Sequence, residues 1–145
     1  MTFWDLLSCS VILLYLVSII LFIKTQDISH LWGFVGLYAT TLFSEYLKYY
    51  VIQDASPRPK GAMNCNLWCN DGNQEGRPGM PSSHSAEVAF FVAYYWKQVD
   101  NVIWKVLLVL YGMAVMISRY MKRCHSVSQI VVGGMVGGGM SWLMR

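Results

Sequence analysis

Long runs of apolar residues dominate this sequence and restrict the folds open to it. About five such runs approach or exceed the ~20 residues that a helix needs to cross a bilayer. They lie at 3–23, 31–52, 83–99, 102–120 and 125–144. The sequence therefore predicts an all-α, polytopic membrane helical bundle with about five transmembrane helices, in which residues 1–145 form a single membrane-embedded domain.

The charge balance argues against one class of function. Hydrophobic residues make up 55% of the chain and charged residues 13%, and the formal net charge is +3. This charge is too small, and too concentrated near a few helix ends, to indicate a nucleic-acid-binding protein. The membrane itself is the expected partner, and homo-oligomerisation is left open.

The four cysteines, at positions 9, 65, 69 and 124, lack the spacing of a metal site. Cys65 and Cys69 lie in one Trp-containing loop. They would form a disulfide in an oxidising compartment and remain free thiols otherwise, and the sequence leaves both states open.

Polar residues that could bind a ligand or take part in catalysis converge on one side of the predicted bundle. Five spans place the long loop 53–82 on the same side as the turn between the last two spans. A charged side chain at the end of a membrane helix costs free energy unless a polar or oppositely charged group pairs with it. The cationic residues on this side therefore indicate a pocket for an anion. They are Lys48, Arg58, His84, Arg119 and His125. For Arg119 and His125, the alternative to an anion pocket is a positively charged connecting loop that only anchors two helices at the membrane interface.

The residue types in this pocket suit a phosphoryl group. Guanidinium groups bind phosphate oxygens bidentately and stabilise the charge that builds during transfer. Ser82 or Ser83 is expected to cap the third helix, whose free N–H groups would also favour an anion. No carboxylate cluster of metal-binding type accompanies these residues, so we expect a reaction without metal or cofactor, through a covalent intermediate.

Three short motifs follow one another along the chain: Pro57-Arg58-Pro59, Gly79-Met80-Pro81-Ser82-Ser83-His84-Ser85 and Ser118-Arg119-x5-His125-x3-Gln129. In sequence and order they resemble the signature motifs of the type 2 phosphatidate phosphatase (PAP2) superfamily. Most of the superfamily has Gly in place of Ser83 and Asp in place of Gln129. In both positions the chain is similar to the dolichyl-diphosphatase branch.

The resemblance implies a role for each motif residue. His125 would be the nucleophile that forms a phosphohistidine. His84 would protonate the leaving group and then activate the hydrolytic water. Gln129 would accept from the imidazole Nδ1–H of His125. The phosphoryl oxygens would be held by Arg58, Arg119, Lys48, Ser82 and Ser83.

The resemblance also implies a substrate and a location. The expected activity is hydrolysis of a polyprenyl (dolichyl-type) diphosphate to the monophosphate and inorganic phosphate, in the endoplasmic reticulum membrane with the active site facing the lumen. The alternatives are a phosphatase for phosphatidate or phosphatidylglycerol phosphate, and a non-catalytic membrane protein that binds lipid headgroups. The lysine of the superfamily's first motif would fall at Val51, which leaves Lys48 and Lys60 as candidates.

Overall fold

The computed structural model describes residues 1–144 and has no β-strand in that range. Its six α-helices are α1 Phe3–Cys9, α2 Ile12–Thr25, α3 Ile28–Tyr46, α4 Ser83–Tyr95, α5 Val102–Met121 and α6 Val127–Leu143. A π-helix, Leu47–Ile52, and a short 3-10 turn, Gln53–Ala55, continue α3 into the long loop. The predicted all-α fold is confirmed.

The predicted span 3–23 is interrupted after its first two turns. It forms α1 and α2, whose axes are bent by 42°. The Ser10 hydroxyl lies at the break, where it donates to the Leu7 carbonyl at 2.7 Å and lies 2.8 Å from the Tyr111 hydroxyl. A serine hydroxyl that bonds a nearby carbonyl competes with the helix backbone, which accounts for the break.

The predicted set of five transmembrane helices is not confirmed. Of the helices within residues 1–144, α5 alone is long and apolar enough to cross a membrane, and the bent pair α1–α2 would be a second if it forms one span. α4 has 13 residues and α6 has 17, fewer than the ~20 of a full span. The predicted span 83–99 ends at Tyr95, and the last helix begins at Val127 rather than at residue 125.

The α4 helix is the most buried of the bundle and packs closely against α6. Phe90 and Val88 on α4 are fully buried in the main hydrophobic cluster. A Cβ added at Gly133 of α6 would lie 2.4 Å from the Ser82 carbonyl oxygen, and one at Gly137 would lie 2.0 Å from that of Ala86. Glycine therefore lets the two backbones touch. This contact brings the first turn of α4 beside the first turn of α6.

Candidate active site

A cavity of about 260 Å³ lies where α4 begins, bordered by the long loop 53–82. Both histidines of the predicted site line it, so the structure brings His84 and His125 together. They are joined there by Lys48 from the π-helix, Arg58 from the loop and Ser83 from the first turn of α4.

His125 lies in the turn between α5 and α6 and is 2% exposed. Its Nδ1 is 2.9 Å from the carbonyl oxygen of Gly79 and 3.3 Å from Oε1 of Gln129. Both neighbours are acceptors, so Nδ1 carries the ring proton and Nε2 keeps its lone pair. The shorter of the two contacts goes to a backbone carbonyl, a partner that the sequence analysis did not identify.

Arg58 is placed beside Nε2 of His125 by the loop backbone. The Arg58 N–H donates to the Arg77 carbonyl at 2.8 Å, and a β-bridge pairs Pro57 with Pro78. The Arg58 Nη1 donates to the Cys124 carbonyl at 3.3 Å and lies 3.3 Å from Nε2 of His125. The nitrogen that keeps its lone pair thus faces a guanidinium group.

Several buried nitrogens of the site have no protein partner among residues 1–144. They are Nε of Arg58, Nε2 of His84, and Nε and Nη1 of Arg119. Buried N–H groups are rarely left unpaired, because desolvating a donor without a new acceptor is costly. An anion with several oxygens, such as a phosphoryl group, is the ligand whose acceptors suit this set. Arg119 is fully buried and does not itself line the cavity.

Lys48 is held at the cavity by two neighbours. Its ammonium donates to Oε1 of Glu45 at 2.6 Å and to the Ser83 hydroxyl at 2.9 Å, and that hydroxyl donates to Glu45. Lys60, the other candidate for the motif lysine, is exposed and does not line the cavity. The sequence analysis missed Glu45 as a cavity residue, although its spacing from Lys48 was a visible signal.

Ser82 occupies a different position from Ser83. Its hydroxyl accepts from the Ser85 N–H as the N-cap of α4, and its own N–H donates to the Gln129 carbonyl at 3.1 Å. Ser82 does not line the cavity. Its contacts therefore fix the start of α4, while Ser83 presents its hydroxyl to the cavity.

Gln129 connects the loop to the start of α6. Its Oε1 accepts from the Ser126 N–H in a capping box, and its Nε2 donates to the carbonyls of Ser56 and Pro57 at 3.2 and 2.9 Å. The side chain is 1% exposed. It therefore anchors the segment just before Arg58 as well as contacting His125.

Burial is the main influence on the protonation of His125. Burial first, and then the positive charges of Arg119 and Arg58, hold the pKa of the His125 imidazole well below its ordinary value. Burial likewise lowers the pKa of the Arg58 guanidinium. The imidazole is therefore neutral at neutral pH, as a nucleophile must be.

The disulfide joins Cys65 to Cys124, with the two Cα atoms 5.5 Å apart. The pairing of Cys65 with Cys69 that the sequence analysis considered is therefore wrong. Cys69 has a positive φ of 54° and directs its sulfur away, to 3.0 Å from the Sγ of Cys9 and 3.0 Å from the Nζ of Lys122. Cys9 and Cys69 are free thiols.

Comparison with known proteins identifies the family. The family model of the PAP2 superfamily matches residues 29–145, a range that includes all three motifs. Searches of curated proteins and of solved structures gave no match. Because the family model covers well over half of the sequence, the chain belongs to the PAP2 superfamily.

Proposed function

We propose that this protein is an integral membrane phosphatase that hydrolyses a polyprenyl (dolichyl-type) diphosphate to the monophosphate and inorganic phosphate. Membership of the PAP2 superfamily suggests phosphatase activity on lipid-like phosphate esters. The observation that carries the proposal is the environment of His125, a neutral imidazole whose Nε2 lies 3.3 Å from Arg58 in the cavity, where the buried Nε of Arg58 has no protein partner within residues 1–144.

The reaction would proceed in two steps. In the first, Nε2 of His125 attacks the terminal phosphorus, and the bond from that phosphorus to the bridging oxygen breaks as the N–P bond forms. In the second, water attacks the phosphohistidine, and inorganic phosphate leaves. His84 would give a proton to the departing oxygen and then take one from the water. The charges of Arg58, Arg119 and Lys48 would stabilise the phosphoryl oxygens in both transition states.

The substrate proposal depends on two residues that differ from the usual superfamily pattern. Ser83 adds a hydroxyl to the cavity that a glycine would not supply, between Glu45 and Lys48. Gln129 brings an uncharged amide to the imidazole, where the usual aspartate would bring a charge. At both positions the chain resembles the dolichyl-diphosphatase branch, and this resemblance supports the substrate proposal.

We place the protein in the endoplasmic reticulum membrane, with α1–α2 as one span, α3, α4, α5 and α6 as the others, and the cavity facing the lumen. The apolar character of α5 supports a membrane location. The Cys65–Cys124 disulfide supports the lumenal orientation, because disulfides persist in oxidising compartments and are rare in the cytosol.

The test is release of inorganic phosphate by the purified protein in detergent. The substrates are a polyprenyl diphosphate, phosphatidate and phosphatidylglycerol phosphate, each with and without a chelator. We expect the diphosphate to be the best substrate, and we expect His125→Ala to lower the rate by about 10³-fold or more, because no other group replaces the nucleophile.

The third histidine of the chain provides a matched control. His30 lies at the start of α3, stacked on Tyr95 and away from the cavity, so His30→Ala should keep the wild-type rate. Full activity of His125→Ala would exclude this nucleophile. A preference for phosphatidate would contradict the diphosphate as substrate and favour the alternative phosphatase. Binding of lipid headgroups without turnover at any pH would exclude an enzyme.

A further inference from the structure

The Cys65–Cys124 disulfide lies against both arginines of the site. The Nη2 of Arg119 donates to the carbonyl oxygen of Cys65, and the Nη1 of Arg58 donates to the carbonyl oxygen of Cys124 at 3.3 Å. Cys124 also directly precedes His125 in the chain. One covalent bond therefore joins the two backbone segments that hold the guanidinium groups.

Arg119 depends on this segment more than Arg58 does. The Cys65 carbonyl is the one hydrogen-bond acceptor that the Arg119 side chain has within residues 1–144. The Arg119 side chain is fully buried and so is shielded from bulk solvent. The position of the Cys65 backbone therefore decides where the Arg119 guanidinium group lies.

The bond also restrains the long loop 53–82, which has no α-helix of its own. It closes a chain segment with a sequence separation of 59 residues between the two cysteines. Both sulfurs are buried with Ala62 in a small cluster separate from the main core. Outside this cluster, the Lys122 ammonium donates to the Asn64 carbonyl at 2.9 Å and to the Cys69 sulfur at 3.0 Å, two polar contacts at the same junction.

We propose that Cys65–Cys124 is a positioning disulfide, and that its reduction moves the two guanidinium groups away from His125 and so lowers the activity of the enzyme. The inference rests on the proposed function, because it assigns the disulfide to the same site. It makes the phosphatase sensitive to the thiol–disulfide state of its compartment.

The chemistry is an ordinary exchange. A dithiol reductant attacks one sulfur of the cystine and then closes on itself, so two electrons and two protons pass from the reductant to Cys65 and Cys124. The products are two cysteine thiols and the cyclic disulfide of the reductant. A small-molecule disulfide such as oxidised glutathione reverses the reaction.

The sulfurs of the free cysteines Cys9 and Cys69 are 3.0 Å apart, close enough for the two thiols to be oxidised to a second disulfide. A reductant added to the unmodified protein could then act on both pairs. The experiment therefore uses the Cys9→Ser variant, in which the Cys65–Cys124 pair is unchanged. Cys9 neither lines the cavity nor contacts a residue assigned to phosphate binding.

The variant is purified without reductant, and its thiols are alkylated and mapped by mass spectrometry before and after treatment with dithiothreitol. We expect a Cys65–Cys124 crosslinked peptide before treatment and two further alkylated thiols after it. We expect kcat to fall on the order of tenfold or more on reduction, because small misplacements of binding groups cost this much. Oxidised glutathione should restore the rate.

Two further measurements separate positioning from a general loss of structure. Reduction should leave the helical circular dichroism signal unchanged while it weakens the binding of inorganic phosphate, measured by calorimetry in the absence of lipid. The double variant Cys65→Ser/Cys124→Ser should have the low rate at the outset and should not respond to dithiothreitol.

Unchanged kcat after complete reduction would overturn the inference, and so would free thiols at Cys65 and Cys124 in the untreated protein. If the oxidised protein releases no phosphate from any lipid, the proposed function fails instead. Phosphate binding then still decides the inference: weaker binding after reduction supports it, whereas equal binding or none in the two states overturns it.

Discussion

The ammonium group of Lys48 lies 2.9 Å from the hydroxyl oxygen of Ser83. The contact joins the π-helical end of α3 to the first turn of α4, and both partners also bond to Glu45. A side chain with two fixed partners loses less entropy when it binds a phosphoryl oxygen than a mobile one would. We therefore predict that Lys48, rather than Lys60, is the motif lysine, although it lies outside the usual spacing.

Replacing Lys48 by methionine should lower kcat/KM for phosphate release by about 10- to 100-fold, because the cavity loses a positive charge that stabilises the negative phosphoryl oxygens. The matched variant is Lys60→Met, which changes an exposed lysine on the long loop 53–82 and should stay within about twofold of the wild type. The reverse order of the two effects would assign the motif role to Lys60.

The pH dependence of kcat/KM should reflect the lowered pKa of His125. Burial and then the charges of Arg119 and Arg58 lower this pKa, so the folded imidazole stays neutral below the ordinary value of about 6.5. The acid limb that belongs to His125 should therefore lie below pH 6.5. Phosphate release across pH 4–8, corrected for the ionisation of the substrate, measures it; a limb at or above the ordinary value would contradict the assignment.

The same shift affects stability. An unfolded chain protonates this imidazole near pH 6.5, whereas the folded protein resists protonation. The contribution of His125 to the free energy of unfolding is therefore complete above pH 6.5 and is lost as the pH falls from there towards the folded pKa. Thermal unfolding in detergent at several pH values should show a decline that His125→Ala reduces.

Replacing Gln129 by methionine should affect both activity and stability. The variant keeps the side-chain volume but leaves the Pro57 carbonyl without the Gln129 donor, and the Ser56 carbonyl keeps only the Gly79 N–H, which costs about 1–3 kcal/mol. The segment before Arg58 loses its anchor, so kcat should fall about tenfold. Gln98→Met, in the turn after α4, should leave the rate unchanged. An equal rate for both variants would show that Gln129 does not position the site.

The local parts of this site could be predicted from sequence. His84 and His125 lie at helix boundaries, where a capping serine, a cluster of cations and the end of an apolar run are all visible in neighbouring residues. Each is identified by a short motif, and the order of the spans predicts a common side. Their shared cavity agrees with that expectation.

The long-range parts could not be predicted, because their partners lie far apart in the chain. Cys65 pairs with a cysteine 59 residues away, and no local pattern distinguishes that partner from the nearby Cys69. The bond from His125 to the Gly79 carbonyl involves a backbone atom that any residue could supply. The contact of Ser10 with the Tyr111 hydroxyl at the break between α1 and α2 likewise involves a different helix.

The glycines of α6 give a stability test that is independent of catalysis. A Cβ at Gly137 would lie 2.0 Å from the Ala86 carbonyl oxygen, whereas one at the neighbouring Gly138 would meet no atom within 4 Å. Gly137→Ala should therefore force α4 and α6 apart and lower the free energy of unfolding by about 1–3 kcal/mol. Gly138→Ala should be neutral or stabilising by up to about 1 kcal/mol, since alanine favours the helix. Thermal unfolding in detergent compares the two, and equal destabilisation would show that the close contact of α4 with α6 does not hold the bundle together.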